Sequence, residues 1–189
     1  MKRANEYKKN VFCLEGDWAN DLRDRSSIKA SLTFMSQNFG IKYIFKQCGT
    51  IDNLKFYLEK WKHKKYQTYT ICYFAFHGQP GKIEIGNGLV TLEELAIMLK
   101  GSCKNRIIHF ATCRVIATDR KRINKFLEDT GALCVCGYVN EVDFLEGSIF
   151  DMIIVDMFQQ YRNMGKVEAT IHKNYGTLAR KLKFKLFHL

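Results

Sequence analysis

The sequence predicts an α/β fold with a mostly parallel central sheet between two layers of helices. Short apolar runs typical of buried strands alternate with longer segments whose apolar residues recur at helical spacing. This alternation indicates right-handed crossovers and a parallel sheet. The economical arrangement is a three-layer α/β/α sandwich with the flavodoxin-like strand order 2-1-3-4-5, in which the third and fourth strands are neighbours.

Five strands are predicted from local apolar character. Residues 11–14, 68–76, 106–112 and 132–138 are largely apolar, as expected of strands buried on both faces of a sheet. Residues 41–45 alternate with lysines, which is typical of a strand near one edge.

The helices are predicted from periodicity and from residues that favour helix ends. The first helix ends at Gly40, a residue suited to the left-handed position after a helix. Thr91 with Glu94 matches a capping box. A long helix over residues 144–161 is apolar on nearly every side, so we expect it to be well buried. The other helices carry residues 28–39, 54–61 and 123–127.

Two further segments alternate in polarity. Residues 82–90 surround an Asn87-Gly88 pair, which predicts a β-hairpin. Residues 181–186 carry a lysine at every second position, which favours an edge strand with its lysines outward. A basic amphipathic end that touches a partner or a membrane surface stays open for this tail.

Composition places the chain among globular proteins. With 189 residues, 47% hydrophobic and 26% charged, it predicts one domain over residues 1–189 with a substantial core. No apolar stretch is long enough to span a membrane. The first nine residues are polar, so no signal peptide is expected. Seven cysteines, an odd number and mostly inside apolar runs, fit a reducing cytoplasm better than a secreted disulfide framework.

The formal charge of +11 raises the question of nucleic-acid binding. The lysines are spread along the chain, with local clusters at residues 60–65, 120–125 and 180–185. No recognisable nucleic-acid-binding motif is present, so a solvated face is favoured and no specific nucleic acid is expected. A basic nucleic-acid-binding α/β domain stays open as an alternative function.

Two strand ends carry residues able to do chemistry. His77-Gly78 follows the third strand, and Cys113 follows the fourth. Carboxyl ends of neighbouring parallel strands meet at one edge, where α/β proteins build their sites. His77 and Cys113 should therefore lie side by side, an arrangement that indicates nucleophilic catalysis by cysteine. Each motif alone is more often a turn or core packing. Nothing in the sequence predicts a metal or a cofactor.

The chain resembles the caspase-like cysteine peptidases: caspases, clostripain-type peptidases, separase and bacterial CHAT proteases. The resemblance rests on His77-Gly78 and on Ala111-Thr112-Cys113-Arg114, within a βα pattern over residues 11–163. The caspase signature Gln-Ala-Cys-Arg-Gly is only partly present, since Ala111-Thr112 replaces Gln-Ala and Val115 replaces Gly. This departure favours a more distant, bacterial-type relative.

The resemblance implies a Cys/His dyad that cleaves protein or peptide substrates. Cys113 would attack as a thiolate, and His77 would protonate the leaving amine. The backbone amides of Gly78 and Cys113 would form the oxyanion hole. Glycine at position 78 would let the main chain approach the substrate without a Cβ.

The resemblance also implies a signalling or defence role and an activating partner protein. A homodimer through the strand-5 or C-terminal edge stays open, because exposed edges pair easily. A catalytically inert binding or signalling module with the same fold is the first alternative to the enzyme.

Acidic residues suggest a substrate preference. The loops after the first and fifth strands should border the same cleft, and they carry Glu15 and Asp17, and Glu141 and Asp143. A carboxylate in the pocket would select Arg or Lys before the cleaved bond, as the acidic pocket of clostripain-type enzymes does. Asp143 is favoured as the pocket base. The alternative is that Asp143 only caps the long helix.

Overall fold

Nine strands and six helices are described over residues 8–189 of the protein, here a computed structural model. The strands are β1 (Val11–Glu15), β2 (Tyr43–Gln47), β3 (Ile71–Ala75), β4 (His77–Gln79), β5 (Lys82–Ile85), β6 (Gly88–Thr91), β7 (Ile107–Phe110), β8 (Cys134–Tyr138) and β9 (Phe184–Phe187). The helices are α1 (Lys29–Phe39), α2 (Ile51–Trp61), α3 (Leu92–Leu99), α4 (Arg120–Thr130), α5 (Phe144–Gln160) and α6 (Met164–Lys181). The polar residues 1–7, part of the segment for which no signal peptide is expected, lie outside the described residues.

Six strands form the central sheet, in the order β2-β1-β3-β7-β8-β9. The first five of these pair in parallel and follow the predicted order 2-1-3-4-5. The sixth strand, β9, pairs antiparallel with β8 at the edge. The register between β3 and β7 joins Ile71 to Ile107 and Phe74 to Phe110. The two strands therefore end at the same level of the sheet.

Helices cover both faces of this sheet. On one face, α2, α3 and α4 contribute Leu58, Leu95 and Phe126 to a buried apolar cluster. On the other face, α1, α5 and α6 contribute Leu32, Phe150 and Val167 to a second cluster. The central strands supply side chains to both clusters, because successive side chains of a strand point to opposite faces. The result is a three-layer α/β arrangement.

A second, smaller sheet has the strand order β4-β5-β6. Strands β5 and β6 form the hairpin predicted around Asn87-Gly88. The pairing of β4 with β5 and that of β5 with β6 are both antiparallel. Strand β4 begins at His77, two residues after β3 ends at Ala75. The chain therefore leaves the central sheet at the point where His77 stands.

The predicted helix ends are confirmed where their caps are local. Gly40 follows α1 with a φ of 69°, a left-handed conformation that glycine adopts without strain. Thr91 and Glu94 form the predicted capping box of α3. The long helix α5 is buried along much of its length, as its composition predicts.

Of the two elements near the chain's end, the sequence predicts only one. Helix α6 was not predicted, and it has a kink at Tyr175. The alternating tail forms an edge strand, as favoured, although the strand begins only at Phe184. In the described residues, no helix has the length and apolar character that crossing a membrane requires.

All seven cysteines are unpaired. The polar surroundings of Cys103 predict the most exposed thiol after Cys113, and this prediction is wrong, because Cys103 is completely buried. Its backbone N–H donates a hydrogen bond of 3.0 Å to the Thr130 carbonyl at the end of α4. This contact folds the polar loop inward and places the thiol in the core.

Helix α2 is anchored by Trp61, which is fully buried. Its ring stacks on Phe12 at 5.6 Å, and its Nε1–H donates to the Tyr69 carbonyl at 2.7 Å. We expect Trp61→Ala to lower the free energy of unfolding by about 3–5 kcal/mol, measured by urea denaturation. Phe56→Ala, on the exposed side of the same helix, is the matched control and should change it by less than about 0.5 kcal/mol. Equal losses in both variants would contradict this account of how α2 is anchored.

Candidate catalytic cleft

His77 lies just beyond the carboxyl end of β3, and its ring orientation is fixed by the backbone of a neighbouring loop. Its Nε2 is 2.8 Å from the Trp18 carbonyl oxygen. A carbonyl can only accept, so Nε2 must carry the hydrogen. In the neutral imidazole, Nδ1 is then the unprotonated nitrogen and can accept a proton.

The Trp18 carbonyl is held in place by Glu15. Trp18 Nε1–H donates to Glu15 Oε1 at 2.8 Å, and the indole meets His77 edge-on at 5.5 Å. Glu15 is itself buried, and it also accepts hydrogen bonds from the Ser27 hydroxyl and from the Ile28 backbone at the start of α1. Glu15 therefore positions the loop that orients His77.

Cys113 follows β7 with its sulfur close to the loop after β8. The Val142 N–H donates to Sγ at 3.3 Å, which places a donor against the atom that would carry the negative charge of a thiolate. The next residue, Arg114, has a φ of 62°, in the left-handed region that few non-glycine residues adopt. The chain thus turns sharply just after the thiol.

His77 and Cys113 line the same cleft, as their strand ends predict. In the described part of the chain, no hydrogen bond joins them directly. Catalytic hydrogen bonds are often long or absent before substrate binds and tighten in the complex. The structure thus brings the two groups to one site without joining them.

Gly78 allows the two strand-end segments to approach closely. A Cβ at position 78 would lie 2.5 Å from the Cys113 carbonyl oxygen and 2.5 Å from Val115 Cγ2. From the sequence, this glycine is explained by a close approach of the main chain to a substrate. The structure gives a different reason: β4 passes directly against the turn that carries Cys113.

The cleft has a volume of about 300 Å³. Besides His77 and Cys113, its lining includes five aromatic side chains: Trp18, Tyr73, Phe76, Tyr138 and Phe144. The aromatic wall includes Trp18 and Phe144, whose rings meet edge to face at 5.4 Å. The other lining residues used below are Tyr73, Tyr138, Val142, Asp143 and Asp151.

Asp151 lies on α5 at the inner end of this cleft, with 4% of its surface exposed. Its carboxylate accepts a hydrogen bond from Tyr73 and another from Tyr138 at 2.5 Å. His109 Nε2 is 2.8 Å from Oδ1 of the same carboxylate. His109 is itself fully buried.

The Cys136 thiol also belongs to this cluster. Burial raises the pKa of the Cys136 thiol well above its usual value, so this thiol is protonated. Its S–H can donate to His109 Nδ1, which is 3.1 Å from the sulfur. No lysine or arginine within residues 8–189 forms an ion pair with Asp151.

The four acids predicted to border the cleft have separate placements. Asp143 lines the cleft, and its side chain also accepts from the Glu146 N–H at 3.0 Å as the N-cap of α5. Glu141 is exposed and lies 3.9 Å from Arg114. Asp17 is hydrogen bonded to Gln47 at 3.1 Å. Together with Glu15, Asp17 lines a neighbouring depression instead of the cleft.

Sequence reasoning missed Asp151 and its two tyrosine donors. The available signal was the position of Asp151, the middle one of three carboxylates on a helix that is otherwise apolar on nearly every side. A charge at such a position is rarely buried without partners, so it points to a polar cluster at that depth. The partners themselves come from β3, β7 and β8, and no local pattern links them to α5.

The strand topology and the cleft define an α/β protein with a cysteine and a histidine at neighbouring strand ends. The chain belongs to a family of unknown function, DUF6642, whose model matches residues 8–188. The curated proteins include none that matches the chain.

Cys113 should be the most reactive thiol, because the other six cysteines are buried. Burial also raises the pKa of both Cys48 and Cys103 to about 12. We expect iodoacetamide to label native protein once, at Cys113, with peptide mass spectrometry as the readout. Cys103→Ser should leave this labelling unchanged. Labelling of a buried cysteine at the same rate would contradict the prediction.

Gly78→Ala should disturb the turn that carries Cys113, because its new methyl group would overlap the Cys113 carbonyl oxygen. We expect a loss of about 1–3 kcal/mol in the free energy of unfolding and slower alkylation of Cys113. Gly101→Ala is the control, since space is open around that residue although its φ of 62° adds backbone strain. A change in Cys113 reactivity in the control, or none in Gly78→Ala, would show that the close approach is unimportant.

Proposed function

We propose that this protein is a cysteine endopeptidase with a Cys113/His77 dyad. The observation that carries the proposal is the placement of the one partly exposed thiol in the same cleft as a histidine whose Nε2–H is bound to a backbone carbonyl. This tautomer leaves Nδ1 able to take the thiol proton. The resemblance to caspase-like peptidases, drawn from the same residues, supports the same reaction class.

The reaction follows from these groups. His77 Nδ1 accepts the proton of Cys113, and the thiolate attacks the carbonyl carbon of the peptide bond, which forms a C–S bond. The backbone amides of Gly78 and Cys113 are the proposed donors to the resulting oxyanion. The proton then passes from His77 to the leaving nitrogen as the C–N bond breaks. Water, deprotonated by His77, hydrolyses the thioester and releases the second product.

For the substrate we propose a basic side chain, Arg or Lys, before the cleaved bond. The support is a buried carboxylate lining the cleft that is hydrogen bonded to Tyr73, Tyr138 and His109 and has no lysine or arginine partner in the described residues. A guanidinium or ammonium group would balance this charge. Asp151 is therefore the preferred pocket base, while Asp143, favoured on sequence, has its side chain partly occupied as a helix cap.

The test is hydrolysis of a fluorogenic peptide panel varied at the residue before the cleaved bond. We expect cleavage after Arg or Lys by the wild-type protein and at least about a thousandfold loss in Cys113→Ala, since the nucleophile carries the covalent step. His77→Ala should lose activity comparably. Cys103→Ser is the control and should retain it. Cleavage that persists in Cys113→Ala would exclude the proposed nucleophile.

If the wild-type protein cleaves none of the peptides, two explanations are possible, and the alkylation experiment distinguishes them. A single fast-reacting Cys113 would indicate a competent site that waits for an activating partner. A Cys113 no more reactive than the buried cysteines would favour the inert binding module, for which the missing direct hydrogen bond between His77 and Cys113 is the supporting observation.

Asp151→Asn tests the pocket separately from the dyad. Asparagine keeps the shape of the side chain but removes its charge, so kcat/KM for Arg and Lys peptides should fall by about tenfold or more, the cost of losing one charge-assisted contact. Peptides with neutral residues at that position should be cleaved as before. Asp143→Asn is the matched control. If only Asp143→Asn loses the preference for Arg and Lys peptides, Asp143 and not Asp151 is the carboxylate that selects the basic side chain.

A further inference from the structure

Helix α2 presents an exposed surface on which lysines alternate with aromatic rings. Lys46 of β2 lies 5.9 Å from the ring of Tyr57, and that ring lies 5.6 Å from Phe56. Lys60 in turn lies 5.2 Å from the Phe56 ring. Phe56 is 57% exposed, so much of its ring faces solvent beside the Lys60 ammonium group. We call these four residues the α2 strip.

The ammonium groups of the strip contact no carboxylate in the described residues, although the pKa of the nearby Glu59 is lowered first by a hydrogen bond from Lys62 and also by the charge of Lys60. Within residues 8–189, neither Lys46 nor Lys60 forms an ion pair. The same holds for Lys64 and Lys65, which follow the end of α2. The neighbouring lysines Lys55 and Lys62 do form ion pairs, with Asp52 at 3.8 Å and with Glu59 at 2.5 Å, so among the described lysines at and beside α2 the unpaired ammonium groups are those of the strip and of Lys64 and Lys65.

The strip is remote from the candidate cleft. The cleft lies at the carboxyl ends of β3 and β7, near the middle of the sheet, whereas β2 is an edge strand. Helix α2 runs back along the sheet toward the amino ends of the strands, where Lys64 and Lys65 follow it. The residues of the strip can therefore be changed without touching the cleft.

The chemistry of the strip fits single-stranded nucleic acid better than a membrane. Unpaired ammonium groups suit phosphates, and exposed ring faces suit the stacking of unpaired bases. An amphipathic membrane helix needs a free apolar face. Here the apolar face of α2, formed by Leu54, Leu58 and Trp61, is buried against the sheet. Only Phe56 is left to contact acyl chains.

We propose that the α2 strip, extended by Lys64 and Lys65, binds single-stranded nucleic acid without sequence preference. Phosphates contact the lysines, and a base stacks on Phe56. This function is separate from peptide cleavage and does not depend on it. The sequence alone predicts no specific nucleic acid, and the proposed contact is consistent with that, since rings and ammonium groups read no base identity.

The experiment is fluorescence anisotropy of the full chain with labelled oligo(dT) and oligo(U) over a range of salt concentrations. Each phosphate contact to a single strand contributes about 0.7 to the slope of log K against log salt. The variant Lys46→Gln/Lys60→Gln/Lys64→Gln should therefore lower the magnitude of the slope by about 2. Phe56→Ala should weaken binding by about fivefold or more and leave the slope nearly unchanged.

Two matched controls make the result specific. Lys166→Gln/Lys173→Gln/Lys185→Gln removes the same charge from exposed lysines of α6 and β9. Phe34→Ala removes a ring that is 50% exposed on α1, on the other face of the sheet. Both controls should bind like the wild-type protein. Equal weakening in the controls would mean diffuse attraction to net charge and would overturn the proposal.

Two other outcomes would also overturn it. One is the absence of measurable binding at low salt. The other is binding to anionic phosphatidylserine vesicles that is at least as tight and has the same dependence on Phe56, which would assign the strip to a membrane surface. Cysteine-dependent peptide cleavage should be unchanged in every strip variant, so a failure here leaves the proposed enzyme untouched.

Discussion

The parallel pairing of β3 with β7 in one register is the constraint on which the candidate site depends. It ends the two strands at the same level, and the Ala111 N–H still donates to the Phe74 carbonyl at 2.9 Å beyond the last paired residues. From there the chain leaves the sheet in two directions, through β4 on one side and through the turn at Arg114 on the other. Gly78 permits these exits to touch. A side chain there would separate the two segments and, with them, His77 from Cys113.

The sequence predicts the features that depend on local pattern. Strand and helix alternation predicts the parallel order, because crossover handedness leaves few alternatives. His77 and Cys113 could be placed together for the same reason: each ends an apolar run in adjacent strands. The capping box at Thr91 and the left-handed Gly40 are local signals of the same kind.

The unpredicted features depend on contacts between distant segments. Glu15 is predicted from the sequence to border the cleft. Its carboxylate instead accepts hydrogen bonds from Trp18 and from the backbone at the start of α1. Cys103 is buried because its loop bonds to the end of α4, which no local pattern reveals. Helix α6 was missed because its apolar residues are sparse, and its buried stripe is evident only against the second core cluster. The tyrosine donors to Asp151 come from strands that lie 78 and 13 positions away.

Asp151 illustrates how an inner charge can be tolerated and used. Moving a carboxylate into the interior without partners is strongly unfavourable, and removing one partner of a buried charge costs several kcal/mol. Two phenols and an imidazole supply the hydrogen bonds that water would otherwise provide. The field of this charge extends into the cleft, where the low dielectric of the aromatic walls strengthens it. A bound cation would gain that interaction without requiring the cluster to rearrange.

The charge distribution separates the two proposed functions. The net charge is +11, yet in the described residues a carboxylate with no lysine or arginine partner lines the cleft, and four lysines without ion pairs lie at or beside α2: Lys46, Lys60, Lys64 and Lys65. Exposed charges are screened beyond about 8 Å at physiological salt, so lysines at the sheet edge contribute little to the potential at Asp151. Buried charge is screened much less, so Asp151 dominates within its own cleft. Salt should therefore weaken polyanion binding at α2 steeply while it alters the selection of a cationic side chain far less.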